Sequence, residues 1–163
     1  MCCLRLTLHV LQENILGTLI KPSYPQPGLK HPSRANTTSQ DIALATATVV
    51  STSVPSAVAG VVFLSGNVLL SPPPLEPLSS CARINAGGLP TAVALDHLSS
   101  LNKLVNSSPP SSPFSRLPPL SFSYGRALQG DAIRHWVQGD AEAMKESLER
   151  AAQGCFQAAK GEL

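Results

Sequence analysis

Lys21 closes a short apolar run, Gly17-Thr18-Leu19-Ile20, and Pro22 follows it at once. Such a run favours a strand, and a proline, lacking an N–H for the ladder, ends one. An amine held among apolar side chains at a strand end is a candidate imine former. Burial disfavours an ammonium ion and leaves a neutral nitrogen able to attack a carbonyl. The competing reading is a lysine whose stem simply carries its charge out to water. Two more segments carry polar chemistry at strand ends. Ala59-Gly60-Val61-Val62-Phe63-Leu64 stops at Ser65 and Gly66, and Leu120-Ser121-Phe122-Ser123-Tyr124 runs into Gly125 and Arg126. Ser65, Gly66, Ser123, Gly125 and Arg126 together offer hydroxyls, backbone N–H groups and a guanidinium fork, a set suited to one phosphate. Taken singly, Ser65-Gly66 is a strand-ending turn, and Arg126 is a surface cation or part of an ion pair at a helix start.

The elements that must position these groups are legible in outline. Strands are expected near residues 15–21, 58–65 and 120–125. The second is apolar throughout, as a parallel strand covered by helices would be. In the third, Leu120, Phe122 and Tyr124 alternate with Ser121, Ser123 and Gly125, which gives an apolar face and a small polar one. The small face is expected to point toward the site, and Tyr124 to pack between strand and helix. Thr38 and Asp41, a hydroxyl and an acid three residues apart, form a capping-box pattern before an Ala-rich helix over 41–53. Ala94, Leu98, Leu101 and Val105 recur at helical spacing, predicting a helix over 91–105 with Thr91 as its cap. A short helix over 132–138 carries Trp136 as a packing residue. The last helix opens near Asp140, with Met144, Leu148, Ala152, Cys155 and Ala159 on one face and a Glu146–Arg150 pair on the other. Strand and helix alternate, so the fold class is α/β with right-handed parallel βαβ units.

Composition excludes more than it suggests. Charged residues make up 13% of the chain and the net charge is +2, which gives no basic surface for nucleic acid. Cys2, Cys3, Cys81 and Cys155 show no CxxC spacing and no histidine pair at ligand distance, so neither a disulfide framework nor a metal site is supported. Cys155 is expected to be a buried thiol. The apolar opening, residues 1–11, is too short for a membrane span and lacks a clean cleavage site; it is read as the tail of a helix before the lysine strand. The 15 prolines cluster, chiefly in loops. Residues 67–86 show no helical or strand period and contain Pro72-Pro73-Pro74. Residues 106–119 are a Ser/Pro-rich loop.

Gly17 to Pro22, Phe63 to Gly66 and Phe122 to Gln129, in that order with helices between them, resemble the second half of a class I fructose-bisphosphate aldolase. Ile42 to Thr48 and Ser53 to Val58 are also similar to the family. The resemblance implies the TIM (β/α)8 barrel fold, with only about the last three β/α units present. A whole barrel typically needs roughly 200 to 250 residues or more, against 163 here. It implies reversible cleavage of fructose 1,6-bisphosphate to dihydroxyacetone phosphate and glyceraldehyde 3-phosphate, a step of glycolysis and gluconeogenesis. Lys21 would be the Schiff-base residue, and Ser65, Gly66, Ser123, Gly125 and Arg126 would bind substrate phosphate. Neither a metal nor any other cofactor is implied. The partners implied are the sugar phosphate and copies of the same chain, tetramer-like in the family; no nucleic acid and no membrane are expected. The compartment would be the cytoplasm or a plastid. Removing residues 67–86 would join Ser65-Gly66 to Gly87-Gly88-Leu89, closer to the family's Ser-Gly-Gly loop. That stretch therefore reads as non-family sequence, carried in by read-through of an untranslated segment, with a surface insertion as the other reading.

The chain also departs from the family. Leu16 stands where a glutamate is usual and Ser23 where asparagine is common. The family's acid/base carboxylates and second lysine lie on strands before those present here, and its terminal tyrosine after Leu163. These 163 residues alone are expected to turn over poorly. The alternative function is a catalytically inactive fragment that binds sugar phosphate or docks on intact aldolase, since three parallel strands leave edges in need of cover.

Overall fold

The computed structural model describes residues 15–28, 30–64 and 89–163, with only the backbone of Arg126 and Ala127. The expected helix tail at 1–11, Ser65, Gly66 and the stretch 67–86 lie outside the described residues.

Three parallel strands form one sheet in the order β1 (Leu19–Ile20), β2 (Gly60–Leu64), β3 (Leu120–Ser123). The register runs Leu19 to Gly60 and Ile20 to Val61, then Val61 to Leu120 through to Leu64 with Ser123. β1 is shorter than expected, because Ile15–Gly17 turn as a 3-10 helix before it. The pairing nonetheless continues at both ends of β1. Ala59 N donates to Thr18 O at 3.0 Å and Leu64 N to Pro22 O at 3.2 Å. β3 stops at Ser123, so the chain leaves the sheet two residues before the expected end near 125.

Among the described residues four α-helices follow the strands: α1 (Ser39–Ser53), α2 (Thr91–Asn106), α3 (Gly125–Val137) and α4 (Ala141–Lys160). The capping box forms as the sequence predicts. Asp41 N donates to Thr38 Oγ1 at 3.2 Å while Thr38 N donates to Asp41 Oδ2 at 2.9 Å, so two donors without intrahelical partners are satisfied reciprocally. The Thr38 hydroxyl, donating to Asp41 Oδ2 at 2.7 Å, and then the Thr38 N–H hold the Asp41 carboxyl below the usual carboxylate range. α2 corrects one expectation: its N-cap is Pro90, not Thr91, and no side chain caps it. α4 is capped by Asp140, whose Oδ1 accepts from Ala143 N at 2.9 Å. It ends at Gly161 with φ of 76°, where a Cβ would sit 2.8 Å from Lys103 N; only glycine lets α4 end so close to α2.

The core lies between one face of the sheet and the helices. Val61, Phe63, Leu120 and Tyr124 meet Ile42, Ala47 and Val50 of α1, Ala94, Leu98 and Leu101 of α2, and Cys155 and Ala158 of α4. α1 packs on α2, α2 on α4 and α3 on α4. The predicted stripe of α2 is the one buried, with Val105 half-buried at its end. α4 buries Cys155 and Ala158 alone, leaving Leu148 and Ala152 exposed. Its i,i+4 ion pair is Lys145–Glu149, one position before the expected Glu146–Arg150. Trp136 is 66% exposed, contrary to a packing role.

Candidate active site

β2 and β3 bury alternate residues toward the helices, so Val62 and Leu64, with Ser121 and Ser123 opposite them, lie on the other face. In β1, Ile20 pairs with Val61 and packs against the core. The same alternation, carried one residue on, sets Lys21 on the face shared by Val62, Leu64 and Ser123. The C-terminal ends of the parallel strands thus bring Lys21 and Ser123 to one side of the sheet, with β2 between them. Lys21 itself is exposed. The apolar enclosure expected around its amine is not supplied by the described residues.

Ser123 is half-buried and ends β3; Gly125 is exposed and opens α3, with Arg126 next in the same turn. The expectation of a helix beginning at 132 is therefore corrected by seven residues. Tyr124 is the N-cap of α3 and no side chain bonds there, so the first-turn N–H groups are free of a side-chain cap at the strand end. A helix start of this kind favours an anion. Ser65 and Gly66 follow Leu64 in the chain but lie outside the described residues. The structure thus sets Lys21 and Ser123 on one side of the sheet, at strand ends separated by β2, with the backbone of Gly125 and Arg126 following Ser123.

Sequence reasoning missed the layer beneath this edge. Tyr24, three residues past Lys21, is buried and stacks on Phe63 with ring centroids 4.6 Å apart and planes 10° apart. Tyr124 is buried too, as expected, and its hydroxyl donates to Ala94 O at 3.1 Å. The two tyrosine hydroxyls lie 3.0 Å apart. With the Tyr124 proton directed to Ala94, Tyr24 is the donor of that bond. Burial raises both phenols, Tyr124 to about 12 and Tyr24 further. Burial likewise pushes the Cys155 thiol up to about 11, which makes it inert.

A second chain of bonds ties the lysine loop to α1 and α2. Arg34 Nη2 donates to Gln26 Oε1 at 3.1 Å, leaving the Gln26 amide nitrogen to donate to His97 Nε2 at 3.2 Å. His97 must then carry its proton on Nδ1, which faces Ser39 Oγ at 3.0 Å. Burial lowers His97 below the usual histidine range, against a smaller opposing effect of Asp96. The one signal for this layer in the sequence was Tyr24 itself, an aromatic among prolines in a segment that otherwise reads as polar loop.

A small parallel sheet with helices covering one face is the arrangement found in part of a (β/α) barrel. Residues 4–70 match the family model described as glycolytic class-I fructose-bisphosphate aldolase. The chain is 32% identical over 156 residues to human fructose-bisphosphate aldolase B, covering 94% of this chain and 34% of that protein. It is 34% identical over 133 residues to aldolase B of Sparus aurata, covering 82% of this chain and 27% of the relative. The solved fructose-bisphosphate aldolase of Plasmodium falciparum, in complex with TRAP and a small-molecule inhibitor, superposes with a TM-score of 0.66 at 29% identity, over 99% of this chain and 41% of that one. The chain is a relative of the class I fructose-bisphosphate aldolases, of TIM-barrel fold, and spans about a third of the curated relatives it matches.

Among the described residues, no helix is long and apolar enough to cross a membrane.

Proposed function

We propose that the chain carries the imine-forming part of a fructose-bisphosphate aldolase, acting on phosphorylated ketoses. The observation that carries this reading is the shared face of Lys21 and Ser123 at the C-terminal edge of parallel strands, with the start of α3 beside Ser123. Barrel enzymes do their chemistry at that edge.

In this reading the neutral Lys21 amine attacks the ketone carbon of fructose 1,6-bisphosphate. An acid protonates the carbinolamine hydroxyl, which leaves as water and gives a protonated imine. A base removes the proton of the C4 hydroxyl, the C3–C4 bond breaks, and its electron pair flows into the imine to give an enamine. Glyceraldehyde 3-phosphate leaves as the C4 carbonyl forms. Protonation of the enamine and hydrolysis release dihydroxyacetone phosphate and restore the amine. Ser123, the N–H groups of Gly125 and Arg126, and by family resemblance Ser65, Gly66 and the Arg126 guanidinium, would hold a substrate phosphate. The resemblance assigns the acid and base to other strands, and general acid–base help is typically worth about 10² to 10⁴ in rate. Imine formation by these residues should therefore exceed their turnover. Assembly into a tetramer-like homo-oligomer is the further expectation of this reading.

Borohydride reduction in the presence of dihydroxyacetone phosphate tests it. A stable adduct on the peptide holding Lys21 is expected; modification spread evenly over the surface lysines, or none, would overturn the assignment.

The edge of the sheet favours a second reading, a non-catalytic piece that docks on a barrel. β1 is two residues long and Leu19 at this edge is 61% exposed. A well-folded monomer that shows no association with an intact aldolase removes its rationale.

A further inference from the structure

β1 is two residues long, its pairing extended at the two ends by Thr18 O and Pro22 O, and the segment that follows it contains Pro22, Pro25 and Pro27, none of which can donate a backbone hydrogen bond. The position of Lys21 therefore depends on how the segment after it is anchored. The nearest anchors are Pro22 O, which accepts from Leu64 N at 3.2 Å, and the buried Tyr24. Tyr24 stacks on Phe63 of β2, and its hydroxyl meets that of Tyr124 at 3.0 Å. Tyr124 sits between Ser123 and Gly125 and is itself tied to Ala94 O of α2 at 3.1 Å. One bond between two buried rings thus spans from the lysine strand across β2 to the start of α3.

We propose that Tyr24 and Tyr124 are a positioning pair that fixes the Lys21 strand end relative to the phosphate-binding end at Ser123 to Arg126. Neither hydroxyl touches substrate. The pair acts by setting the span between the amine and the phosphate anchor, so that a ketone held by its phosphate meets the amine. This inference rests on the reading of those two strand ends as one site.

The test compares two ketones, dihydroxyacetone phosphate and dihydroxyacetone, in borohydride trapping by the full chain, with adduct counted on the Lys21 peptide across ketone concentrations. Tyr24→Phe removes one oxygen and leaves the Tyr124 hydroxyl still bonded to Ala94, so the variant loses the link without orphaning a donor. Tyr124→Phe is the second variant. The pair predicts that Tyr24→Phe lowers the preference for the phosphorylated ketone roughly five- to tenfold, the usual scale of one net buried hydrogen bond. Trapping of unphosphorylated dihydroxyacetone should stay as in the parent. Tyr124→Phe removes the bond to Ala94 O as well, so the double variant should be no worse than Tyr124→Phe alone, which has already lost the bond between the two hydroxyls.

An unchanged preference in either folded variant overturns the proposal. So does an equal loss for both ketones, which is what general loosening would give. A parent chain that adds to Lys21 with no preference for the phosphorylated ketone fails earlier and differently: it removes the phosphate site itself, and with it anything for the pair to position.

Discussion

On the helix side of the sheet, Val61 is fully buried, Phe63 is 1% exposed and stacked on Tyr24, and each buried hydroxyl or imidazole beside them has a named partner. On the other side Val62 and Leu64 are half-buried, Leu19 is mostly exposed, and Lys21 stands in solvent. The difference teaches which side of the sheet supplies the stability and which side is left open for a candidate site. The helix side satisfies itself with residues of this chain, and it fixes strand order and register. The other face carries the candidate residues Lys21 and Ser123 and gains little enclosure from the described residues. A complete barrel would enclose that face in its interior, where side chains of several strands pack in layers.

The contrast breaks most sharply at Lys21. Lys21→Met should abolish reductive trapping of dihydroxyacetone phosphate at that position while leaving the circular dichroism spectrum and the urea midpoint as they were. A variant that loses its fold along with its adduct would mean that the open face bears structure after all.

Neighbouring truncations on β2 give the next largest effect. Phe63→Ala removes a buried ring and should cost about 3–5 kcal/mol in urea unfolding, whereas Leu64→Ala, facing the other way, should cost well under half as much. Equal costs would show that the open face is packed as tightly as the covered one.

Smaller still is the helix start that anchors the covered side. Thr38→Ala removes the acceptor for Asp41 N and half of the capping box, and should cost about 1 kcal/mol in the same measurement.

The smallest effect is a pH dependence confined to the covered side. Burial, outweighing the opposing effect of Asp96, places the folded value of His97 below the unfolded one of about 6.5. The unfolded chain then binds the proton more readily. Stability is full above about pH 6.5 and declines as the pH falls through the folded value of His97. Urea midpoints at pH 7.5 and 5.5 should differ, and the difference should shrink in His97→Gln.

Much of the architecture was readable in one dimension. The apolar run 58–64 had to be a covered parallel strand, and the stripe of Ala94, Leu98 and Leu101 had to face it. The Thr38–Asp41 spacing set a helix start to within two residues. What failed were features that depend on neighbours far along the chain. Trp136 reads as a core residue on size alone, yet it stands 66% exposed near the end of α3. The start of α3 was hidden because Gly125 and Arg126 read as equally good loop residues, and nothing local marks a helix opening on a glycine capped by a tyrosine.

The candidate site divides in the same way. Residue types and order supplied Lys21, Ser65, Gly66, Ser123, Gly125 and Arg126, because an amine before a proline and small polar residues after apolar runs are local patterns. Local patterns are all that a sequence states directly. That Tyr24 and Tyr124, 100 residues apart, share one hydrogen bond, and that His97 reaches Gln26 across the lysine loop, was decided only by tertiary structure. Such contacts follow from parallel register and helix packing, and register is fixed jointly by every buried residue on the sheet's covered face.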